Sequence, residues 1–419
     1  MKINISPKQW HVSSKTIFYM FLLLMVIPLF NGFALLTGDG GLHSPYYFVG
    51  YSTGFGARKL LGTIFSFILP EYTTHRHLVP YIWCVLLAIF LLFANYVSAS
   101  FRGVNFHSNS NALPFLLLTA VYVATSYSVL FCYSLVWYAD IWLYLLTLIF
   151  ITLFAKFRSN GVWPLVYGVI VIIACLIHHI FCCLFFPLFV ALFIYEIFDE
   201  NKLSVKLVVL YGVVALLLCA LFICLWFFSS MNIGFEELSK QLSQRANSVC
   251  CNDTFILTLL YGTSYDSSHM YDIGQFPARF YQLPFLLLLV SPLISLFVIP
   301  WILCIRKAKN RVERTKYILM LSSMVLLFFP VFIMATDYGR WLMAWFFCHT
   351  ILLLTMYRIG DSLVIEAMSL MYNWCKRHIV VSVFLIVYIL LLRIYPTDNA
   401  GVDALSYAQY EIYANLFAK

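Results

Sequence analysis

Long apolar segments dominate this chain, and they constrain its fold more than any other feature. Of its 419 residues, 63% are hydrophobic and 11% are charged, and its mean hydropathy is +0.90. Soluble domains carry about 25% charged residues, and no water-soluble core would bury this many apolar side chains. The sequence therefore predicts an integral membrane protein.

Eleven segments are apolar over the roughly 20 residues that a helix needs to cross a bilayer. They are approximately 16–37, 78–98, 113–132, 138–155, 162–179, 180–197, 206–229, 283–304, 317–336, 341–357 and 379–395. His178 and His179, with Pro187 shortly after them, favour a break between the fifth and sixth segments. We therefore expect an all-α polytopic membrane protein with about 11 transmembrane helices, forming a single transmembrane domain over residues 1–419.

Lysine and arginine residues predict the orientation of these helices, because they concentrate in cytoplasmic loops. A cytoplasmic N-terminus places most of the 26 basic residues on the inner side, among them the run RKAKNRVERTK at 306–316. We expect this run to anchor the protein at the membrane surface, with lipid-headgroup binding as a second role. The asymmetry accounts for the net charge of +8, and we expect no nucleic-acid partner.

The same orientation places two long loops on the outer side, at 38–77 and 230–282. The stretch Thr37–Gly62, TGDGGLHSPYYFVGYSTGFGARKLLG, carries Asp39, His43 and Arg58 within the first loop. The segment ARKLLGTIFSFILPEY, which overlaps its end, is too short to span and is amphipathic at its start. Such a segment suits a helix that lies in the membrane interface. We interpret this loop as one wall of an active site.

Ionisable residues gather at the outer ends of the predicted spans. They are Asp39, Asp140, His178, His179, Asp337 and Arg340. Such residues are rare and costly near a membrane and are functional candidates by default. Each histidine either packs in the core or touches substrate, and Asp140, beside Trp137 and Tyr138, leaves the same two alternatives.

Asp337 and Arg340 are three residues apart, which places them on one face at the start of a helix. They form either a local ion pair with a cap for that helix, or a phosphate site. In the second case Arg340 binds the phosphate through both of its outer nitrogens and Asp337 orients it. The sequence leaves both alternatives open.

The cysteines do not predict a cofactor. Most of the 12 cysteines lie in or beside apolar runs, where cysteine behaves as a small hydrophobe. Cys250 and Cys251 are adjacent in a polar loop, with no metal-ligand spacing around them. The one cofactor that the sequence leaves open is a divalent cation.

Several of these features together resemble the glycosyltransferase C superfamily. They are the cytoplasmic N-terminus, an acid soon after the first span, an interfacial helix in the same loop and the number of spans. The match that matters lies in residues 16–98, and beyond them it is one of topology. The resemblance implies an enzyme of a bacterial plasma membrane. Its activity would move a sugar from a polyprenyl-phosphate-linked donor to a cell-envelope glycan or a lipid-linked acceptor.

The resemblance implies that the first outer loop supplies the catalytic acid, and Asp39 is the residue in that position. It stands alone between glycines, where the superfamily often shows two adjacent acids. A sugar transfer needs a base for the acceptor hydroxyl and cations for the leaving phosphate. The other catalytic candidates are Asp337 and Asp140, and the predicted substrate-binding residues are Arg58, His43, His178, His179, Arg340 and Arg279.

Two other functions fit parts of the pattern. The related O-antigen and capsule polymerases, which join polyprenyl-diphosphate-linked repeat units, have similar length, span count and outer-loop arginines. In such an enzyme Arg245, Arg279 and the loop 230–282 would matter more. A transporter would carry polar groups near the membrane midplane and broken helices in two repeated halves. No halves repeat here and the polar residues cluster at the outer face, so a transporter is the weaker alternative.

Overall fold

The computed structural model describes most of the chain. The described residues are 13–24, 44–70, 73–102, 104, 111–158, 163–198, 204–228, 231–245, 256, 257, 259, 260, 283–334 and 337–392. Within them the regular structure is helical, and no strand occurs in these ranges. The expected all-α class is confirmed for this part of the chain.

Helices follow one another along the sequence with short connections. The first half contains α1 (Ser14–Leu24), α2 (Leu60–Ile68), α3 (His75–Ser100), α4 (Leu113–Ala124), α5 (Asp140–Phe157), α6 (Trp163–Ile177), α7 (Phe181–Leu184) and α8 (Phe186–Ile197). The second half contains α9 (Val205–Phe227), α10 (Phe235–Arg245), α11 (Leu283–Lys307), α12 (Arg311–Leu326), α13 (Val331–Met334), α14 (Tyr338–Ile359), α15 (Ser362–Arg377) and α16 (Ile379–Leu391). Short 3-10 helices occupy Ser44–Tyr47, Tyr51–Thr53 and Val129–Leu135.

Six helical stretches among the described residues are long and apolar enough to cross a membrane, or seven if α15 and α16 count as one bent span. The protein is therefore a multi-pass helical membrane protein. Every predicted apolar segment contains a described helix, but the expected 11 crossings are not confirmed. One reason is that the chain breaks inside its apolar runs. The 15 residues of α6, which ends before His178, reach only about 22 Å, against about 30 Å of hydrocarbon.

Helix α14 lies at the centre of the bundle. Of its most apolar window 83% is buried, whereas only 11% of the corresponding window of α9 is buried. Helices α3, α4, α5, α8 and α11 surround α14. The start of α14 therefore places its first residues, including Arg340, inside the protein rather than against lipid.

One end of the bundle is defined by contacts near the run 306–316, and we call it the basic end. There the Ser98 hydroxyl donates to the Ser14 carbonyl, which joins the end of α3 to the start of α1. Lys316 pairs with Asp361 at 3.8 Å, and both side chains are buried. Tyr317 donates a hydrogen bond to the same carboxylate, at 2.7 Å. These contacts fix the connection between α14 and α15 beside α12.

The opposite end carries the residues that are relevant to function, and we call it the ion-pair end. The indole nitrogen of Trp142, in the first turn of α5, donates to the Tyr47 hydroxyl at 3.1 Å. The ring of Phe65 lies edge-on to that of Tyr81, near the start of α3, with 5.7 Å between the ring centres. The segment 44–70 therefore lies across the beginnings of α3 and α5.

Two glycines allow the segment 44–70 to fold tightly onto α2. A Cβ atom on Gly62 would lie 2.2 Å from the Val49 carbonyl oxygen, and one on Gly50 would lie 2.9 Å from the backbone nitrogen of Thr63. Larger residues would push the backbones apart, so glycine is required for this close approach. The helix α2 itself buries Leu61 and Phe65 and exposes Phe67.

Candidate functional site

Arg340 joins two acids at the ion-pair end. Its Nε atom lies 3.2 Å from Oδ2 of Asp140, and its Nη2 atom lies 2.5 Å from Oδ2 of Asp337. Asp140 is the first residue of α5, and Asp337 immediately precedes α14. Acids are favourable at helix N-termini because the backbone N–H groups there carry partial positive charge. The contact between Asp337 and Arg340 is the local ion pair that the sequence offered as one of two alternatives.

These charges differ in how far they reach water. The side chain of Asp140 is 2% exposed and that of Arg340 is 8% exposed, whereas that of Asp337 is 20% exposed. The Arg340 guanidinium also lies 4.7 Å from the centre of the Tyr138 ring. Buried charges are costly unless they are paired, and here one cation is held by two carboxylates and an aromatic face. Asp337 is therefore the carboxylate that a ligand would reach most easily.

Arg58, in the segment 44–70, interacts electrostatically with one of these acids, Asp140. Its Nη1 atom donates to the Tyr46 hydroxyl, and its guanidinium lies 4.9 Å from the centre of that ring. It also interacts electrostatically with His179. The backbone of Arg58 has φ of 64°, a left-handed conformation that is uncommon for arginine. Such conformations cluster at functional sites, where the surrounding structure holds them.

Lys59 lies beside Arg58 but points into the protein. Its side chain is buried, and its amine contacts the sulfur of Met231. Burial lowers the pKa of Lys59 to about 8. The backbone of the next residue, Asn232, donates to the Thr53 carbonyl at 2.9 Å. These contacts attach the segment 231–245 to the first loop.

Helix α10 covers the segment 44–70. Leu238 and Leu242 pack with Tyr46 and Val49 in a second apolar cluster, separate from the main core. Arg245, the last residue of α10, donates to the Thr73 carbonyl at 3.1 Å and lies 4.7 Å from the centre of the Phe48 ring. Residues 231–245, in the predicted loop 230–282, therefore cover the segment 44–70 at the ion-pair end.

The two histidines occupy the turn between α6 and α7. The Nδ1 atom of His178 accepts a hydrogen bond from the backbone of Ile180, which fixes the turn. The ring of His179 packs against Phe222 and Trp226 of α9, and it is 2% exposed. His179 interacts electrostatically with Arg58.

Three predicted site residues, Asp39, His43 and Arg279, lie outside the described residues. Among the predicted residues within the described ranges, Asp140, Asp337 and Arg340 are in direct contact, and Arg58 interacts electrostatically with Asp140. In those ranges no group of three or more His, Cys, Asp or Glu side chains is placed to hold a metal ion.

Two tyrosines have roles that the sequence did not specify. Tyr46 and Tyr138 each place a ring under a site arginine, at 4.9 Å from Arg58 and 4.7 Å from Arg340. Aromatic residues near a membrane surface are most often part of an interfacial belt, so their type alone does not predict these contacts. Lys59 was also missed, because its burial depends on the distant residue Met231.

The arrangement has the groups that acid–base and phosphate chemistry require. A partly exposed carboxylate stands beside a buried one, and two guanidinium groups lie within electrostatic reach of the buried acid. Carboxylates take up protons from hydroxyl groups, and guanidinium groups stabilise phosphate charge. Comparison with protein-family models, with curated proteins and with solved structures found no match to this chain.

Proposed function

We propose that this chain is a membrane glycosyltransferase that moves a sugar from a polyprenyl-phosphate-linked donor to a cell-envelope glycan or a lipid-linked acceptor. The observation that carries the proposal is the contact among Asp140, Asp337 and Arg340 at one end of the helix bundle, together with the electrostatic interaction of Arg58 with Asp140. A polyprenyl chain can stay in the bilayer there while its phosphate and sugar reach charged side chains.

The reaction exchanges one bond at the anomeric carbon of the sugar. The acceptor hydroxyl oxygen bonds to that carbon, and the bond from the carbon to the donor phosphate oxygen breaks. The electron pair leaves with the polyprenyl phosphate, and the hydroxyl proton passes to a carboxylate base. A positioned base typically contributes about 100-fold or more to such a rate, and cations beside the phosphate stabilise its growing charge.

The geometry favours a division of roles among the charged residues. Arg340 is held by two carboxylates, so we assign it to positioning Asp337 rather than to holding the donor phosphate alone. We assign Arg58 to the donor phosphate. It interacts electrostatically with Asp140, but it forms no close ion pair with an acid among the described residues, so its guanidinium can bind a phosphate. Asp39 stays the proposed base, with Asp337 as the alternative, and His43 and Arg279 stay proposed substrate contacts.

The proposal includes an orientation. We propose that the ion-pair end faces the outside of a bacterial plasma membrane, with the N-terminus and the basic end in the cytoplasm. The exposed basic residues at 306–314 support this, because such residues concentrate on the cytoplasmic side. In this orientation α2 lies in the outer interface, with its exposed Phe67 toward lipid.

A second candidate is an O-antigen or capsule polymerase, which joins polyprenyl-diphosphate-linked repeat units. The contacts of Arg245 with Thr73 and Phe48 favour it, because they attach the predicted loop 230–282 to the first loop. A polymerase must hold two diphosphate-linked chains at once, and this would draw further arginines into the site. In that case Arg245 and Arg279 would contact substrate.

The test uses the purified protein in proteoliposomes with two sets of donors labelled in the sugar, polyprenyl-phosphate sugars and polyprenyl-diphosphate-linked oligosaccharides. We expect at least one donor to release polyprenyl phosphate while its label moves to an acceptor glycan or lipid. Transfer only from polyprenyl-diphosphate-linked oligosaccharides would favour the polymerase instead. Label that stays on every donor, with envelope acceptors present, would contradict both functions.

A further inference from the structure

The basic end carries several exposed basic residues, most of which form no ion pair with the rest of the described chain. Arg306, Lys307, Lys309, Arg311 and Arg314 are all exposed around the turn between α11 and α12. Among the described residues, only Lys307 of these five forms an ion pair, with Glu366 at 3.0 Å. By contrast, Lys316 in the same run is buried and paired with Asp361. The run therefore contains one buried lysine, one lysine in a surface ion pair, and four exposed basic residues, Arg306, Lys309, Arg311 and Arg314, without an ion pair among the described residues.

The backbone of this turn is held firmly. The Asn310 side chain accepts a hydrogen bond from the Glu313 backbone at 2.8 Å, and the Glu313 side chain accepts one from the Lys309 backbone at 2.7 Å. Asn310 is therefore the N-cap of α12, and the two hydrogen bonds together order the first turn of this helix. The basic residues are thus presented in a fixed arrangement rather than on a loose loop.

Helix electrostatics do not explain two of these cations. Arg311 and Arg314 lie in the first turn of α12, where the partial charge of the backbone is positive. A positive side chain there destabilises the helix slightly, so helix stability does not account for the positions of Arg311 and Arg314.

Helix α15 extends the same surface. It begins at the buried Asp361 and is joined to α11 through Glu366 and Lys307. One face, with Leu363, Val364, Ala367 and Met368, is buried. The other face exposes Leu370, Asn373, Trp374 and Arg377, which follow the helical spacing of three, four and seven residues.

The direction of α15 suits a helix that lies along a membrane surface. It meets α16 at an angle of 106°, and α16 is strongly apolar and exposed along its length. If α16 runs through the bilayer, α15 lies nearly in the plane of the interface. Tryptophan prefers this interface, and basic residues beside it prefer lipid phosphates.

We infer that the turn 306–314 and the exposed face of α15 form a binding surface for the headgroups of anionic phospholipids. The lipid phosphate contacts the unpaired basic residues, and Leu370 and Trp374 rest on the upper acyl chains. The surface is distinct from the ion-pair end and does not depend on the proposed transferase activity.

The test measures lipid binding to the purified full-length protein by native mass spectrometry. Dioleoylphosphatidylglycerol is the anionic probe, and dioleoylphosphatidylcholine is the zwitterionic probe. The wild-type protein is expected to bind the first phosphatidylglycerol more tightly than phosphatidylcholine. The double variant Arg311→Gln/Arg314→Gln is expected to lose this affinity by about tenfold or more, since each basic residue near a charged membrane contributes several-fold.

Two further variants make the result specific. Arg76→Gln/Lys240→Gln removes the same charge from exposed residues at the opposite end, and its phosphatidylglycerol affinity should stay within about twofold of wild type. Arg311→Lys/Arg314→Lys keeps the charge and should keep the binding. The inference is overturned if the Gln variant at the turn binds phosphatidylglycerol like wild type, or if the variant at the opposite end loses as much. Equal wild-type affinity for both lipids would overturn it as well.

Discussion

The Nε atom of Arg340 lies 3.2 Å from the carboxylate of Asp140, and this contact joins the first turn of α14 to the first residue of α5. The two residues are far apart in sequence, and both are buried. The contact turns the local pair Asp337–Arg340 into a bridge between two helices. It also fixes which of the two carboxylates faces the protein interior and which one is open to a ligand.

The unequal burial of the two acids predicts unequal effects on stability. Asp140→Asn leaves the buried Arg340 with one carboxylate and is expected to cost about 3 kcal/mol, the scale for breaking a buried pair. Asp337→Asn removes a more exposed partner and should cost about 1 kcal/mol. Thermal unfolding of both variants in the same detergent measures the difference. A larger shift for Asp337→Asn would show that the bridge to Asp140 is not the stronger contact.

The close approach at Gly62 predicts that a single methyl group disturbs the first loop. In Gly62→Ala the new Cβ meets the Val49 carbonyl, which belongs to the backbone and cannot rotate away. We expect a loss of about 1–3 kcal/mol, measured by thermal unfolding.

Gly212→Ala is the matched control, since no atom lies within 4 Å of its added Cβ. This residue is inside α9, where alanine favours the helix by about 1 kcal/mol, so the control should be neutral or more stable. Equal changes in unfolding temperature for Gly62→Ala and Gly212→Ala would contradict the close packing of Val49 on Gly62 of α2.

Lys59 predicts a pH dependence of stability. Its pKa is about 8 in the folded protein, below the ordinary value of 10.5, because burial disfavours the charged amine. Between these two values the unfolded chain binds more protons than the folded one, so this residue makes stability rise with pH.

The variant Lys59→Met lacks that contribution. As the pH rises from 7.5 to 9.5, we expect the unfolding temperature of wild type to increase relative to that of Lys59→Met. Parallel pH profiles for the two proteins would contradict the lowered pKa.

The proposed orientation predicts which end reacts with a membrane-impermeant maleimide. Lys240→Cys lies on the exposed face of α10 at the ion-pair end, and Lys309→Cys lies in the turn at the basic end. Native cysteines such as Cys250 and Cys251 can also react, so labelling is compared with that of wild type. In intact cells the first variant should show more labelling than wild type and the second should not, whereas in permeabilised cells both should show more. The reverse pattern would place the proposed site in the cytoplasm, where the proposed extracytoplasmic transfer does not occur.

Hydropathy predicts the helices of this protein well because a bilayer imposes a simple rule on composition. Each predicted apolar segment contains a described helix, from α1 to α16. The number of crossings is harder to predict, since an apolar run does not show where a helix breaks. The turn at His178 and His179 was signalled by two polar residues, whereas hydropathy does not predict an angle such as the 106° between α15 and α16.

The site was predictable where its geometry is local. The spacing of three residues allowed the ion pair between Asp337 and Arg340, and the structure contains it. The bridge to Asp140 was not predictable as a contact, because it depends on how α5 packs beside α14. The left-handed backbone of Arg58 was not predictable either. It lies in the segment 44–70, whose tight folding depends on the close approach of Gly62 to Val49.

The central claim is that Asp39, or Asp337 at the ion-pair end, acts as the carboxylate base in sugar transfer. Its most direct test is the initial rate of label transfer from the active polyprenyl-phosphate sugar, in proteoliposomes that contain equal amounts of folded protein. Asp39→Asn and Asp337→Asn are compared with Glu236→Gln, which neutralises an exposed acid on α10 outside the site. We predict that at least one of the two Asp variants is about 100-fold slower or more, with Glu236→Gln close to wild type. Wild-type rates in both Asp variants, or an equal loss in Glu236→Gln, would contradict the claim.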